Sequence, residues 1–212
     1  MRQITRRNLL LTASAAVAAS SFSMPAIAAG KSIKIGAVQP FSGGLELFGK
    51  QAQMGLDLAA AEINAAGGIM GHPVEVLYED NKTDPKTSVE RARKVIQRDE
   101  VMAVSGPITS AGRDAMAGTM KRMKTPLLYA TNYEGGICDR YLFSFNTVPN
   151  QDTAPLIPYL KDAGVGDSYY MFGADYVWPR NMFKAANAMI SKVGGTSVGE
   201  EYTPFGVKDF SS

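Results

Sequence analysis

Cysteine and histidine are nearly absent from this chain of 212 residues, which contains one of each. The single cysteine, Cys138, cannot form an internal disulfide bond, because that bond needs two cysteines. His72 by itself cannot build a zinc site, which requires several His or Cys ligands. A serine–histidine–aspartate triad would have no other imidazole to use. These absences exclude a disulfide scaffold and disfavour zinc-dependent or triad-based catalysis.

Several sequence signatures of enzymes are missing as well. The chain has no Walker pattern, no G-x-S-x-G and no G-x-G-x-x-G after its first strand candidate. Carboxylates are plentiful, but Glu62, Glu90 and Glu100 fall at helix positions where a solvated face is expected. We therefore predict that the protein is not an enzyme and needs neither a cofactor nor a metal ion.

The apolar run near the N-terminus is too short for a membrane anchor, which needs about 18 or more continuous apolar residues. Residues 1–29 instead predict a signal peptide: a basic start, MRQITRR, an Ala- and Ser-rich apolar stretch, and a cleavage site near Ala28-Ala29. The pair Arg6-Arg7 is typical of twin-arginine export, although a general secretory signal can contain such a pair by chance. We expect the mature protein to reach the periplasm.

Loss of the signal peptide changes the sign of the net charge. The whole chain has 22 basic and 20 acidic side chains, and three of the arginines lie in the signal peptide. The mature chain then has a formal charge of minus one, with 19 basic residues against 20 acidic ones. The basic isoelectric point of the whole chain thus gives no indication of nucleic-acid binding.

Strand and helix patterns alternate along the rest of the chain. The strand candidates are KSIKIGAV, PVEVLYED, VMAVSG, TPLLYAT, YLFSFN, SYYMFG and TSVGEEYT. The helix candidates cover residues 49–66, 85–98, 110–123, 153–162 and 179–192. The second helix has Asp84 as its expected N-cap and Pro85 in its first turn. This alternation predicts an α/β protein with a mostly parallel, doubly wound sheet.

We predict a boundary between two lobes near Pro149-Asn150. Residues 30–149 suffice for a nearly complete Rossmann-like lobe, since such lobes hold about 100 to 150 residues. Residues 150–212 contain only two strand candidates. We expect two doubly wound lobes, of which the second is truncated in this chain.

Ligands of open α/β sheets bind beyond the carboxyl ends of the strands. The hydroxyl and aromatic side chains that follow the strand candidates are Phe48, Ser110, Tyr129, Thr131, Tyr176 and Trp178. For four of these residues a purely structural role is the alternative to ligand binding: Ser110 as a helix N-cap, Phe48 and Tyr129 as core residues, and Thr131 as a turn residue. Such a set without a nucleophile is typical of a pocket that binds a small polar molecule and releases it unchanged.

The turn FGADYVWPRNMF presents two of these side chains. Tyr176 and Trp178 at a strand-to-helix turn would expose apolar area unless something covers them. We expect Asp175 to cap or brace this turn and Pro179 to begin the following helix.

Four segments carry a resemblance to a known family: IKIGAVQPFSG, AAAEINAAGGIMGHPVEVLYEDNKTDP, VSGPITSAGRDA and LLYATNYEGG. Together they resemble the periplasmic solute-binding proteins of ABC transporters, of the branched-chain amino acid type. The elements YEGG, VPNQ and FGADYVWPRNM are more similar to the urea- and short-amide-binding branch. The resemblance covers essentially all of residues 31–212.

The resemblance implies a type I periplasmic binding protein fold, whose two lobes close on a solute and deliver it to the membrane permease subunits of an ATP-powered transporter. It also implies ligand-binding roles for Ser110, for Tyr129 with Thr131 as a Tyr-x-Thr element, for Tyr176 as the tyrosine that closes over the ligand, and for an aromatic Phe48 that covers the site. Ile108 departs from the pattern, because this position is aromatic in some amide binders. A further acidic ligand residue of the family comes from a later second-lobe loop that this sequence does not include.

Three functions are therefore compared. The leading hypothesis is a periplasmic binding component that takes up urea, a short amide or a branched-chain amino acid. An amide-sensing regulatory protein of the same fold would work in the cytoplasm, which the export signal disfavours. A periplasmic hydrolase would need a nucleophile and a base that the sequence does not show.

Overall fold

The computed structural model describes residues 31–210; the predicted signal peptide, with Arg6-Arg7 and its cleavage site, lies outside them. The described residues form seven strands and five helices. In chain order these are β1 (Ile33–Gln39), α1 (Glu46–Ala65), β2 (Val74–Asp80), α2 (Pro85–Gln97), β3 (Ala103–Ser105), α3 (Ser110–Met123), β4 (Leu127–Tyr129), β5 (Leu142–Ser144), α4 (Thr153–Asp162), β6 (Ser168–Ala174), α5 (Val177–Lys192) and β7 (Thr196–Thr203).

Two parallel sheets make up the fold. The first has the strand order β2-β1-β3-β4-β5, and the second pairs β6 with β7. In the first sheet the connections run to opposite sides of β1, so the strand order reverses between β1 and β3. The carboxyl ends of strands at such a switch point form a crevice where ligands of this architecture bind. The predicted α/β class with a parallel, doubly wound sheet is confirmed.

The hydrophobic core lies between the first sheet and helices α2 and α3. Val38, Val104 and Leu127 are each fully buried on the central strands. They pack against apolar side chains of the two helices: Ala92, Val95, Met116 and Met120. Burying an aliphatic side chain of this size contributes about 1.5–3 kcal/mol. This core holds the carboxyl ends of β1, β3 and β4 in fixed relative positions.

The ends of two helices explain how polar side chains are distributed near the crevice. Asp84 caps α2 by accepting a 2.6 Å hydrogen bond from the Thr87 backbone N–H, with Pro85 at the first helical position, as the sequence predicts. The prediction of Ser110 as the N-cap of α3 is wrong. Thr109 is the cap and accepts from the Gly112 N–H at 3.2 Å. The Ser110 hydroxyl is therefore available for another partner.

Helix α5 begins at Val177, two residues before the predicted start at Pro179. Proline is tolerated in a first helical turn, where backbone N–H groups have no intrahelical acceptor. Tyr176 occupies the N-cap position without a side-chain capping bond. Asp175 braces the turn instead, through an ion pair with Arg180 at 2.6 Å.

The predicted lobe boundary at Pro149-Asn150 falls in the segment between the two sheets, after β5 and before α4. The boundary itself stays a prediction. Along residues 31–210 no helix combines the length and apolar character that crossing a bilayer requires.

Candidate functional site

A cavity of about 140 Å³ lies where the first sheet faces the segment that follows β6. Four of the side chains predicted to form the site line it: Phe48, Thr131, Tyr176 and Trp178. The remaining lining residues are Leu45, Ile108 and Asn132. Every one of these residues follows the carboxyl end of a strand, which is where this fold class binds ligands.

Phe48 reaches this cavity from a helix and not from a loop. Helix α1 begins at Glu46, so Phe48 lies in its first turn with 49% of its surface exposed. The core interpretation of Phe48 is therefore wrong. Gly49 explains the close packing of this turn, because a Cβ atom there would stand 2.2 Å from the Pro40 carbonyl oxygen. The small residue lets α1 approach the end of β1 and directs Phe48 toward the cavity.

A second cavity, of about 400 Å³, adjoins the first and shares Phe48, Ile108 and Thr131 with it. Gln39, the last residue of β1, lines this space and is only 3% exposed. Its Oε1 atom is buried and has no hydrogen-bond partner among residues 31–210. Gln39 was not predicted as a site residue, because its place at a strand end does not distinguish it from ordinary strand-end residues.

Aromatic side chains form the wall on the side of the second sheet. The Tyr176 and Trp178 rings are nearly parallel, at 24° and 6.4 Å between centroids, and the Phe205 ring lies 4.9 Å from that of Tyr176. The buried Trp178 Nε1 has no partner in the described part of the chain. Phe205 follows β7. It was also not predicted as a site residue, because the residues next to it in the sequence do not indicate a contact with Tyr176.

Ser110 and Tyr129 do not line either cavity; both are fully buried. The Tyr129 hydroxyl donates to the Ile108 carbonyl oxygen at 2.9 Å. Burial raises the pKa of Tyr129, while hydrogen bonding with Ser110 and the charge of Arg113 act in the opposite direction. Ser110 and Tyr129 thus belong to a polar layer directly behind Thr131 and Ile108.

A buried ion pair completes this polar layer. Arg113 is fully buried and its Nη2 donates to Glu134 Oε1 at 2.8 Å. The other carboxylate oxygen, Oε2, accepts from the Ser110 hydroxyl, also at 2.8 Å. The guanidinium carbon lies 5.0 Å from the ring centroid of Tyr129 and 5.5 Å from that of Tyr133. Buried charges need such compensation, since desolvation of an unpaired ion costs several kcal/mol.

Neither Arg113 nor Glu134 was selected from the sequence. Glu134 belongs to the YEGG element, but its partners Ser110 and Arg113 lie in a different segment, at the start of α3. No local pattern joins these residues. Only the packing of α3 against the loop after β4 brings them together.

Tyr176 connects the two sides of the site. Burial, together with the smaller effects of the neighbouring Tyr129 and Glu134, raises the pKa of Tyr176 to about 12. The Tyr176 side chain from the second sheet therefore stands close to the polar layer of the first. Across the residues that the structure describes, no cluster of three or more His, Cys, Asp or Glu side chains could hold a metal ion.

Comparison with known proteins defines the class. Residues 32–212 match the model of the family described as periplasmic binding protein, and the chain belongs to this family. Among curated relatives, the Leu/Ile/Val-binding protein homolog 8 of Brucella suis is 41% identical over 103 residues, which are 49% of this chain and 25% of that protein. Homolog 7 of Brucella abortus is 32% identical over 108 residues, or 27% of its length.

Solved structures show the same fold. The branched-chain amino acid transporter substrate binding protein LivJ from Streptococcus pneumoniae, in complex with isoleucine, is 27% identical with a TM-score of 0.77. A solute binding protein of an ABC transporter from Rhodopseudomonas palustris HaA2, in complex with p-hydroxybenzoic acid, is 25% identical with a TM-score of 0.76. Each match covers 85% of this chain and about half of the other protein, 52% and 49% respectively. The type I periplasmic binding protein fold expected from the resemblance is confirmed.

Proposed function

We propose that the protein is the periplasmic solute-binding component of an ABC transporter, which holds a small polar solute between two lobes and delivers it to membrane permease subunits. The observation that carries this proposal is the 140 Å³ cavity shared by residues of both sheets. A site split between two bodies can close around a solute and release it by a hinge motion.

The cavity's chemistry supports binding without catalysis. Its lining is mainly apolar, with few polar side chains, such as Thr131 and Asn132. Such a lining is typical of sites that recognise small molecules by burial plus a few oriented hydrogen bonds. We infer that Phe48, Thr131, Tyr176 and Trp178 contact the solute directly, with Ser110 and Tyr129 in the layer behind them.

The sizes of the two cavities bear on the size of the solute. The shared cavity of about 140 Å³ lies below the roughly 300–1,000 Å³ of pockets for drug-sized ligands, whereas the adjoining cavity of about 400 Å³ lies within that range. Urea and short-chain amides suit the shared cavity alone, and a larger solute would extend into the adjoining one. A branched-chain amino acid remains the second candidate, since LivJ was solved with isoleucine and the Brucella relatives are described as Leu/Ile/Val-binding homologues.

The chain's single tryptophan offers a direct test. Because Trp178 lines the cavity, its fluorescence should change when a solute binds, and no second indole obscures the signal. Titration with acetamide, urea below denaturing concentration and isoleucine should give a saturable change with at least one of them. Emission that stays constant up to tens of millimolar of all three would contradict the proposal.

Export has its own test. The first 30 residues fused to a reporter should direct it to the periplasm, and the paired substitution Arg6→Lys with Arg7→Lys distinguishes the routes. A block by the paired substitution indicates twin-arginine export, whereas unchanged export indicates the general secretory route. A reporter that stays in the cytoplasm would favour the amide-sensing regulatory alternative.

A further inference from the structure

One carboxylate holds the β1–α1 loop, residues 40–45. Asp80 is the last residue of β2, and its Oδ1 atom accepts hydrogen bonds at 2.9, 3.2 and 2.8 Å from the backbone N–H groups of Phe41, Ser42 and Lys82. Its Oδ2 atom accepts from the Ser42 hydroxyl at 2.6 Å. An ionised carboxylate offers about four acceptor sites. These four bonds therefore use the group fully, and Asp80 acts on its surroundings by fixing the loop.

Two further contacts hold the β1–α1 loop against the segment that follows β2. The Thr83 hydroxyl donates to the Ser42 carbonyl oxygen at 3.0 Å. Gly43 has a φ of +90°, and a Cβ atom there would stand 2.1 Å from the Lys82 carbonyl oxygen. Glycine accommodates both the positive φ and the close approach. The bonds of Asp80 and the packing at Gly43 thus restrain the same part of the loop.

The restrained loop leads to both sides of the site. Leu45 is its last residue and lines the shared cavity, and Phe48 follows in the first turn of α1. An added Cβ atom at Gly44 would lie 3.2 Å from the Cβ atom of Phe205, closer than the separation of about 3.5–4.0 Å that is optimal for carbon atoms. Phe205 in turn packs on Tyr176. Contacts therefore run from the loop of the first sheet to the aromatic wall of the second.

We propose that Asp80 is a positioning residue of the solute site, which fixes the β1–α1 loop so that Leu45 lines the cavity and Gly44 supports Phe205. This inference rests on the proposed function, because it concerns the same site. Asp80 itself lines neither cavity. Its effect is on preorganisation: a loop that must become ordered when the solute binds lowers the affinity by the cost of that ordering.

Replacement of Asp80 tests this role. Acetamide, urea and isoleucine are the probes, and binding is followed by Trp178 fluorescence. In Asp80→Ala we expect the Kd of any probe that saturates the wild type to rise about tenfold or more, because the loop is then ordered only on binding. Asp80→Asn keeps an acceptor oxygen for the N–H groups and gains an NH₂ group that can donate to the Ser42 hydroxyl oxygen, so its Kd should stay within about threefold of the wild type.

Glu79 provides the matched control, because it is the preceding carboxylate on β2 and successive side chains of a strand point to opposite faces. Its partners are Arg91, Lys94 and Arg98. Glu79→Ala removes these ion pairs and leaves the β1–α1 loop in place. We expect it to lower the stability and to leave the Kd unchanged.

The emission of Trp178 without solute gives a second readout, since this ring stacks on Tyr176. When the loop no longer supports Phe205, the aromatic wall should become more accessible to water. We therefore expect the solute-free emission of Asp80→Ala to move to longer wavelength. The emission of Glu79→Ala should match that of the wild type.

A second pair of variants tests the contact with Phe205 while Asp80 is kept. Gly44 and Gly67 have nearly the same φ, +101° and +99°, but an added Cβ atom at Gly67 meets no atom of the described residues within 4 Å. Alanine is strained by the positive φ at both positions, and only at Gly44 does it also displace Phe205. Gly44→Ala should raise the Kd and shift the solute-free emission, whereas Gly67→Ala should change the stability alone.

Each result decides for or against the inference, once thermal unfolding has verified that the variant is folded at the temperature of the titration. An unchanged Kd or an unchanged solute-free emission in Asp80→Ala would overturn it. So would an equal rise of the Kd in Glu79→Ala, or a loss of affinity in Asp80→Asn as large as that in Asp80→Ala.

If Asp80→Ala does not fold, the glycine pair decides, and equal Kd values for Gly44→Ala and Gly67→Ala would overturn the inference. Failure of the proposed function has a different signature, because it shows in the wild type. If the wild type binds none of the three probes, the proposed function fails and the assignment of Asp80 to a solute site fails with it.

Discussion

The rings of Tyr176 and Phe205 lie 4.9 Å apart between centroids, although one residue follows β6 and the other follows β7. The Trp178 ring stacks on that of Tyr176, at 6.4 Å between centroids. Aromatic pairs at such distances contribute about 0.5–1.5 kcal/mol beyond their burial. The aromatic turn after β6 is therefore held by its neighbours and presents Tyr176 to the cavity in a defined orientation.

Replacement of Tyr176 by alanine should weaken solute binding more than it weakens the fold. We expect the solute Kd to rise at least tenfold, which corresponds to about 1.4 kcal/mol. Stability should fall by about 1–2 kcal/mol through loss of the Phe205 and Trp178 contacts. Fluorescence titration gives the Kd, and guanidinium unfolding followed by circular dichroism gives the stability.

Tyr159 provides the matched control, because it is 67% exposed on α4 and does not line the cavity. Tyr159→Ala should leave the Kd unchanged. If Tyr176→Ala unfolded the protein while solute affinity of the folded fraction stayed the same, the residue would be structural and its assignment to the site would be wrong.

Removal of Arg113 should be severely destabilising. Arg113→Met leaves the Glu134 carboxylate buried without its cation, and breaking a buried pair on one side costs about 3–5 kcal/mol. The double variant Arg113→Met with Glu134→Gln removes the uncompensated charge and should recover a large part of this loss. Guanidinium unfolding of the wild type and three variants completes the double-mutant cycle. Additive effects of the two substitutions would show that the pair is not energetically coupled.

Two glycines of α1 should respond in opposite directions to alanine. Gly49→Ala places a methyl group 2.2 Å from the Pro40 carbonyl oxygen, so the helix start must move away from β1 and take Phe48 with it. We expect lower stability and weaker solute binding. At Gly55 an added Cβ meets no atom of the described residues within 4 Å, and alanine should stabilise the helix by about 0.5–1 kcal/mol. Thermal unfolding compares the variants; equal effects would contradict the packing at Gly49.

The caps of α2 and α3 should differ in their dependence on pH. Hydrogen bonds from the Thr87 side chain and backbone hold the pKa of Asp84 below its ordinary value. A carboxyl with a lowered folded-state pKa stabilises the fold above its unfolded pKa of about 3.9, and this contribution is lost as the pH falls through the folded value. Asp84→Ala should therefore cost about 1 kcal/mol at pH 7 and progressively less below about pH 4.

Thr109→Ala is the comparison, because its capping hydroxyl does not titrate in this range. Its cost of about 1 kcal/mol should be the same at pH 7 and pH 4. Guanidinium unfolding at a series of pH values tests both variants. A cost of Asp84→Ala that stays constant down to pH 3 would show that the capping bond does not depend on the ionised carboxylate.

Sequence patterns predicted the elements well because they depend on local chemistry. Asp84 and Pro85 together define a helix start, and the predicted cap is the one observed. The start of α3 was predicted at Ser110 and is observed there, but the N-cap is Thr109, since both residues are good caps and only the backbone geometry selects between them. Helix α5 was predicted two residues late because Pro179 is compatible with more than one position in the first turn.

Some residues of the candidate site could also be predicted from the sequence, and others could not. Phe48, Thr131, Tyr176 and Trp178 were predicted from their places after strand ends, and the structure collects them around one cavity. That collection was predictable because parallel strands place all their carboxyl ends on one edge. Gln39 and Phe205 also follow or end strands, but nothing in the sequence distinguishes them from ordinary strand-end residues.

The sequence by itself determined the α/β alternation, the position of the crevice and the scarcity of groups for metal or triad chemistry. These properties follow from periodicity, composition and the geometry of parallel strands. Only the tertiary structure decided that Ser110 donates to Glu134, that Arg113 is buried beside it, and that Phe205 packs on Tyr176. Such contacts join segments far apart in the chain, and their partners are selected by the packing of whole helices and sheets, which no local pattern records.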